Sequence, residues 1–283
     1  MDIKNKKILV VGLQRSGAGA ALLLARLGAS VTITDIKSLD ELRLNQEGLI
    51  SSLLKEAIEI KAGGHDERDF LNADLIVISP GVRTDMGLLE LARQKGIEVT
   101  GEMELAYRVV RGGLTPLKPD IPFYAVTGTN GKSTVTTLLG LMLNNSGIKA
   151  CVSGNIGNAI TMELVKIMEK GLQVPEAFVV EVSSFQLETI KEFRPNIATV
   201  LNITPDHLDR YRSMEDYREA KALLGINMTA EDSIVLNADD PEVMTLNRRW
   251  KAKTFYFSRK ESVEGAFFKD NTIYLSIKTG DPQ

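Results

Sequence analysis

The chain has one cysteine, Cys151, which excludes an internal disulfide and a cysteine-rich zinc site. In the strand-like context KACVSGN, a free cysteine is expected as a small buried residue. Long apolar runs are also missing. No stretch approaches the ~20 residues needed to cross a bilayer, and the basic opening MDIKNKKILVVGL lacks a signal-cleavage region. A cytoplasmic protein with no membrane partner is expected. Charge of one sign is scarce: the formal net charge is −3, so overall charge draws neither nucleic acid nor an anionic membrane. Any anion must be held by local geometry. Apolar material is plentiful, at 43% of 283 residues. At roughly 100–200 residues per domain, two domains are expected.

Strand-length apolar runs alternate with amphipathic segments of helix length. KKILVVGL, ASVTITD, AIEIKAG, ADLIVISPG and IEVTG read as strands, with helices over residues 18–27, 39–54 and 86–95. This alternation predicts βαβ units and a parallel sheet, and continuous runs such as LIVIS suit strands covered on both faces. RGGLTPLKPDIP, residues 111–122, holds two glycines and three prolines and reads as an interdomain linker. A second α/β series follows: FYAVTGT, a helix near 132–145, KACVSGN, a helix near 159–169, AFVVEVSS, IATVLNIT, a helix near 214–224, and SIVLNADD. The last strands, KTFYFS and AFFKDNTIYLSI, flank an Asp270-Asn271 turn. The fold class is therefore α/β. A Rossmann-like parallel-sheet domain (1–111) and a linker (112–122) precede a P-loop α/β domain (123–283).

Two loops carry chemistry. After the first strand, Gly12-Leu13-Gln14-Arg15-Ser16-Gly17 follows the dinucleotide fingerprint G-x-G-x-x-G except that Gln14 replaces the glycine that lets a pyrophosphate approach. The helix start after it remains an anion site, and Asp35 ends the next strand, where an acid reading a ribose or base would sit. A nucleotide-like ligand is expected there, although a plain strand-to-helix turn is the alternative. The second loop, TGTNGKST (127–134), lies between the strand FYAV and the helix VTTLLGLML. It matches G-x-x-x-x-G-K-[ST] except that Val126 stands at the first glycine. Gly128 and Gly131 permit close backbone approach, successive N–H groups and the helix N-terminus supply a positive cradle, and Thr129, Asn130 and Thr134 are expected with them to bind ATP. Lys132 is expected to reach the β- and γ-phosphates and the Ser133 hydroxyl to ligate Mg²⁺, the alternative being an ordinary glycine turn with a surface lysine.

Other candidates stand at strand ends. Glu181 closes the apolar strand AFVVEV, at the edge where α/β proteins bind ligands. It is either an oxygen ligand for Mg²⁺ or a buried, salt-bridged acid. His207 follows IATVLNIT and is either structural or a ligand. Ser183, Ser184 and Gln186 could be helix caps. Tyr217 and Lys221 share a helix face at i, i+4, and by sequence alone Lys221 is a solvated lysine. His65, in AGGHDERD, reads as a surface-loop residue.

TGTNGKST resembles the ATP loop of the Mur ligase family, in which this shorter form is usual. EVSSFQLE (181–188), SGNIG (153–157), NITPDHLDRY (202–211), YREAK (217–221) and VVGLQRSG also resemble that family's branch that adds D-glutamate to UDP-N-acetylmuramoyl-L-alanine. Gln14 departs from that branch, where glycine is more usual. The resemblance runs from about residue 6 to the end. It implies that Arg15, Ser16, Gly17, Asp35 and Gly81 bind the UDP substrate. Asn155, Ser183, Gln186 and His207 would touch its muramoyl-alanine end. It also implies that His207 ligates a second metal and that Lys221 is carbamylated by CO₂ to an anion that holds Mg²⁺. The modification needs an unprotonated amine, hence a lysine with a lowered pKa. Catalytic roles would fall to Lys132, Glu181, His207 and Lys221.

The implied reaction is ATP-driven amide formation. The alanyl carboxylate attacks the γ-phosphate, and the D-glutamate amine then displaces phosphate from the acyl phosphate. Family members carry a third, C-terminal domain and a His-Asn segment that touches adenine. The sequence reaches LSIKTGDPQ before either, so we expect a monomeric chain that binds the UDP substrate, binds ATP weakly and turns over little or not at all. The rival readings are another Mur-type ligase, a non-catalytic nucleotide-binding module, an NAD(P)-dependent oxidoreductase and a P-loop kinase or ATPase.

Overall fold

The computed structural model describes residues 2–169 and 174–277. Two compact units divide the chain. The first gathers Met1–Ile121, Ser153–Pro175 and Glu188–Phe193; the second gathers Pro122–Val152, Glu176–Leu187 and Arg194–Gln283.

In the first unit, β1 (Lys7–Val11), α1 (Arg15–Arg26), β2 (Ser30–Asp35), α2 (Leu39–Lys55), β3 (Glu59–Ala62), α3 (Glu67–Leu71), β4 (Leu75–Ile78), α4 (Gly87–Gln94), β5 (Glu98–Gly101) and α5 (Glu102–Arg111) follow in order. The five strands form one sheet, β3-β2-β1-β4-β5, and every neighbouring pair is parallel. The order reverses beside β1, and the crevice at such a switch point is where open α/β sheets bind ligands. Burial follows the continuous apolar runs: Val10, Val11, Ile76 and Val77 are fully enclosed.

Helices α3 and α5 lie where no helix is expected from periodicity. Two buried acids at the start of α5 break its apolar pattern; Glu104 has both carboxylate oxygens hydrogen-bonded, whereas Oε2 of Glu102 has no hydrogen-bond partner among the described residues. Glu104 accepts hydrogen bonds from the backbone N–H groups of Lys191, Glu192 and Phe193 and from Arg108. Glu102 accepts one from Thr161 N at 2.7 Å. The proline- and glycine-rich stretch is neither helix nor strand, as expected, but it is anchored. Leu117 and Ile121 are buried, and Arg111 donates to the Pro119 and Ile121 carbonyls.

The second unit opens with β6 (Phe123–Thr127), α6 (Lys132–Asn145) and β7 (Ala150–Gly154). Cys151 is half-buried there rather than enclosed. Next comes α7 (Ile160–Met168), which belongs to the first unit and packs on α1, with Arg26 donating to Val165 O. The chain continues through β8 (Ala177–Glu181), α8 (Ser184–Leu187), β9 (Ile197–Val200), α9 (Met214–Ala222), a 3₁₀ turn, β10 (Ser233–Asn237), α10 (Pro241–Met244), β11 (Lys253–Ser258), β12 (Gly265–Lys269) and β13 (Thr272–Ser276). The sheet order is β13-β12-β11-β10-β9-β6-β8-β7. Strands β8, β6, β9, β10, β11 and β12 pair in parallel, and β12–β13 is an antiparallel hairpin. Its turn residues Asp270 and Asn271 have φ of 47° and 59°, the left-handed geometry that a two-residue hairpin needs.

Candidate active site

Each unit carries its own cluster of candidate residues. In the first, Gly12 leaves β1 with φ 96° and turns the chain into α1. Gly17 must be glycine for space, because a Cβ there would lie 1.9 Å from Gly12 O. Ser79 Oγ donates to that same carbonyl at 2.8 Å. Asp35 is buried at the end of β2, and its two oxygens accept from Leu13 N (2.7 Å) and Lys37 N (2.9 Å). The carboxylate therefore builds the turn as well as facing the cavity. No side chain caps the N-terminus of α1, so its first N–H groups remain available to an anion.

A cavity of about 600 Å³ opens here, lined by Gly12, Gln14, Asp35 and Gly81 together with Ile36, His65 and Val82. Arg15 and Ser16 are not among its lining residues. Arg15 instead donates to Gly157 O at 3.1 Å, tying the glycine turn to the SGNIG turn in which Asn155 is exposed. His65 lies in a loop, as expected, but is half-buried there and forms part of the cavity wall.

In the second unit, the loop after β6 is held open by its surroundings. Gly128 has φ 152°, and a Cβ on it would meet Leu201 Cβ at 3.0 Å and Asn202 N at 3.3 Å. Gly131, with φ 81°, starts α6 without any side-chain cap. Asn202, just beyond β9, clamps the loop. Its Oδ1 accepts from Thr129 N (3.1 Å) and Asn130 N (2.7 Å), and its Nδ2 donates to Asn130 O at 3.0 Å. Thr204 N donates to Thr129 Oγ1 at 3.0 Å. Lys132 Nζ folds back to Thr129 O at 2.8 Å. Asn202 is a site residue that no local sequence pattern singles out. The available signal was an amide at the end of a strand destined to lie beside the loop strand.

Lys221 departs most from its solvated reading. It is 1% exposed, donates to Gly128 O at 2.8 Å and lies 4.6 Å over the Tyr217 ring. Burial, then the charge of Lys132, pull its pKa down from 10.5 to about 7, with Asp206 opposing. Tyr217 is buried alongside, its hydroxyl 3.3 Å from Thr129 Oγ1, and burial pushes its phenol up. Lysine, tyrosine and phosphate loop thus form one packed group.

Glu181 ends β8 beside Val126 in the parallel register, so its buried carboxylate stands at the strand edge where the loop begins. His207 has φ 54° and packs against Phe185 with ring centroids 4.7 Å apart and the ring planes tilted by 53°, its Nε2 3.5 Å from Asp206 Oδ2. Ser183 and Gln186 cap α8 reciprocally. Gln186 Oε1 accepts from Ser183 N (2.9 Å) and Ser183 Oγ (3.0 Å). Ser133 and Thr134 are exposed on the first turn of α6. Among the described residues, no three or more His, Cys, Asp or Glu side chains are grouped to hold a metal ion. A hydroxyl and one carboxylate suit Mg²⁺, which usually keeps waters and takes phosphate oxygens rather than a protein cage. No helix among the described residues is long and apolar enough to cross a membrane.

Known proteins resemble the chain along almost its whole length. Residues 126–278 match the Mur ligase middle domain, and residues 6–101 match the Mur ligase MurD-like N-terminal domain. The UDP-N-acetylmuramoylalanine--D-glutamate ligase of Thermoanaerobacter pseudethanolicus is 42% identical over 278 residues, covering 98% of this chain and 57% of the relative. The ligase of the same name from Koribacter versatilis is 43% identical over 282 residues, covering 99% of this chain and 58% of the relative. The chain thus spans under two thirds of the length of these relatives. Among solved structures, the UDP-N-acetylmuramate:L-alanyl-gamma-D-glutamyl-meso-diaminopimelate ligase from Neisseria meningitides aligns with TM-score 0.61 at 18% identity, over 95% of this chain and 86% of that one. The UDP-N-acetylmuramate-alanine ligase MurC from Thermotoga maritima gives 0.53 at 21% identity, over 93% and 54%. At that identity these two speak to the fold alone. The matches to the middle and N-terminal domains together place the chain in the Mur ligase family.

Proposed function

We propose that the chain serves ATP-dependent addition of D-glutamate to UDP-N-acetylmuramoyl-L-alanine, a step of peptidoglycan precursor synthesis in the cytoplasm. The first unit binds the UDP end of the substrate, and the second binds ATP. The relatives' names support the substrate. The observation that carries the site is the phosphate loop packed against a buried lysine of lowered pKa.

The reaction begins with two anions. The alanyl carboxylate oxygen attacks the γ-phosphorus, ADP leaves, and an acyl phosphate forms. The neutral amine of D-glutamate then adds to the acyl carbon and expels inorganic phosphate, losing a proton. Lys132 leaves Thr129 O to meet the β- and γ-phosphates, and the uncapped N–H groups of α6 face the same charge. Mg²⁺, when bound, neutralises phosphate charge and orients the transferring group; Ser133 and Glu181 would hold it, with His207 and a CO₂-derived carbamate on Lys221 for a second ion. With its pKa lowered to about 7, a large share of the Lys221 amine is unprotonated at neutral pH and has the nucleophilic lone pair that carbamylation needs. Arg15, Ser16, Gly17, Asp35 and Gly81 belong to the UDP end, and Asn155, Ser183, Gln186 and His207 to the muramoyl-alanine end.

Calorimetric titration with ATP tests the site. Magnesium-dependent binding is expected, and Lys132→Ala should abolish it. Equal binding by both proteins would refute the assignment of this loop.

A further inference from the structure

We propose that His65 reads the nucleobase. Its Nε2 accepts a hydrogen bond from the N3–H of a uracil in the cavity beside Gly12, so the site takes an imide-bearing pyrimidine and refuses cytosine, whose N3 is itself an acceptor. This rests on assigning that cavity to the UDP end of the substrate.

Hydrogen-bond accounting carries the inference. Thr34 Oγ1, on β2, lies 3.1 Å from Gly64 O and 2.9 Å from His65 Nδ1. A hydroxyl has one proton and a carbonyl can only accept. We assign the Thr34 proton to Gly64 O, which leaves Nδ1 to carry the proton that it donates to Thr34. In a neutral imidazole with that tautomer, Nε2 is a bare acceptor. No side chain or backbone group among the described residues is hydrogen-bonded to it.

The ring cannot readily turn to offer anything else. Thr34 is buried, and Phe70, fully enclosed, meets the imidazole edge-on with centroids 5.7 Å apart. The loop that carries His65 is pinned, since Gly63 N and Gly64 N both donate to Asp35 O. The charged groups on the cavity wall are Asp35, Lys37, Arg83 and Asp85. Asp35 is held by two backbone N–H groups, and Arg83 is paired with Asp85 at 2.8 Å. Burial lowers the His65 pKa and Asp35 opposes it, so the ring is neutral at neutral pH. Ile36, 71% exposed, and Val82 supply an apolar wall on which a flat base can lie.

Two measurements on the chain test this. Long-range ¹⁵N–¹H NMR at neutral pH, with only two histidines to assign, should find His65 protonated at Nδ1 and not at Nε2. Calorimetry should find UDP bound about tenfold more tightly than CDP, as the gain or loss of one reading hydrogen bond implies. His65→Phe keeps the packing on Phe70 and removes both nitrogens, and should bring UDP down to the CDP level. An Nε2–H tautomer, equal affinities for UDP and CDP, or an unchanged UDP preference in the variant would each overturn the role of His65. If neither nucleotide binds the wild-type chain, the cavity assignment falls and this role with it.

Discussion

Replacing Lys221 with methionine should reverse its effect on stability as pH changes. The lysine is buried at 1% exposure, and its pKa stands at about 7 against an ordinary 10.5. At 1.36 kcal/mol per pKa unit, that gap corresponds to ~5 kcal/mol against folding once the amine is protonated in both states. Between pH 7 and 10.5 the unfolded chain holds a proton that the folded chain has released, so stability rises with pH across that window. Below it the penalty is complete and constant; above it the penalty is gone. Methionine fills similar space without charge but strands Gly128 O, which costs ~1–3 kcal/mol at every pH. Lys221→Met should therefore be ~2–4 kcal/mol more stable than wild type at pH 6 and ~1–3 kcal/mol less stable above pH 10.5. Urea unfolding in carbonate-free buffers at pH 6, 8 and 11 measures the difference, and other titrating groups cancel between the two proteins. A stability difference that does not change with pH would refute the buried, neutral lysine. Against a net stability of ~5–15 kcal/mol, so costly a residue calls for a functional reason such as carbamylation.

Three further substitutions probe the scaffold around the two clusters. Gly128→Ala should weaken magnesium-ATP binding and lower stability by ~1–3 kcal/mol, because φ 152° and the Leu201 contact both oppose a methyl group; calorimetry and thermal unfolding would show it. Gly17→Ala should cost ~3 kcal/mol or more, since the added Cβ would overlap Gly12 O, and a melting temperature equal to wild type would contradict that geometry. Glu104→Gln turns an amide NH₂ toward backbone N–H groups that now donate to a carboxylate and leaves Arg108 with one partner fewer. A loss of ~3–5 kcal/mol in urea unfolding is expected.

Local spacing carried much of this protein. Continuous apolar runs marked the parallel strands, and two glycine turns after strands marked both loops of the candidate site, because strand period, turn chemistry and helix starts are properties of neighbouring residues. The buried acids of α5 escaped that logic: the amides that satisfy Glu104 lie 87–89 residues away. Lys221 escaped it too, since α9 is a polar segment, MEDYREAKA, whose buried face is decided by where the phosphate loop and Tyr217 pack. His65 reads as a loop residue until Thr34 and Phe70 close around it, and Asn202 as a strand end until it spans two loop amides. Charge state, tautomer and burial depend on contacts between distant segments, which no local pattern records; only the folded chain brings those segments within hydrogen-bonding reach.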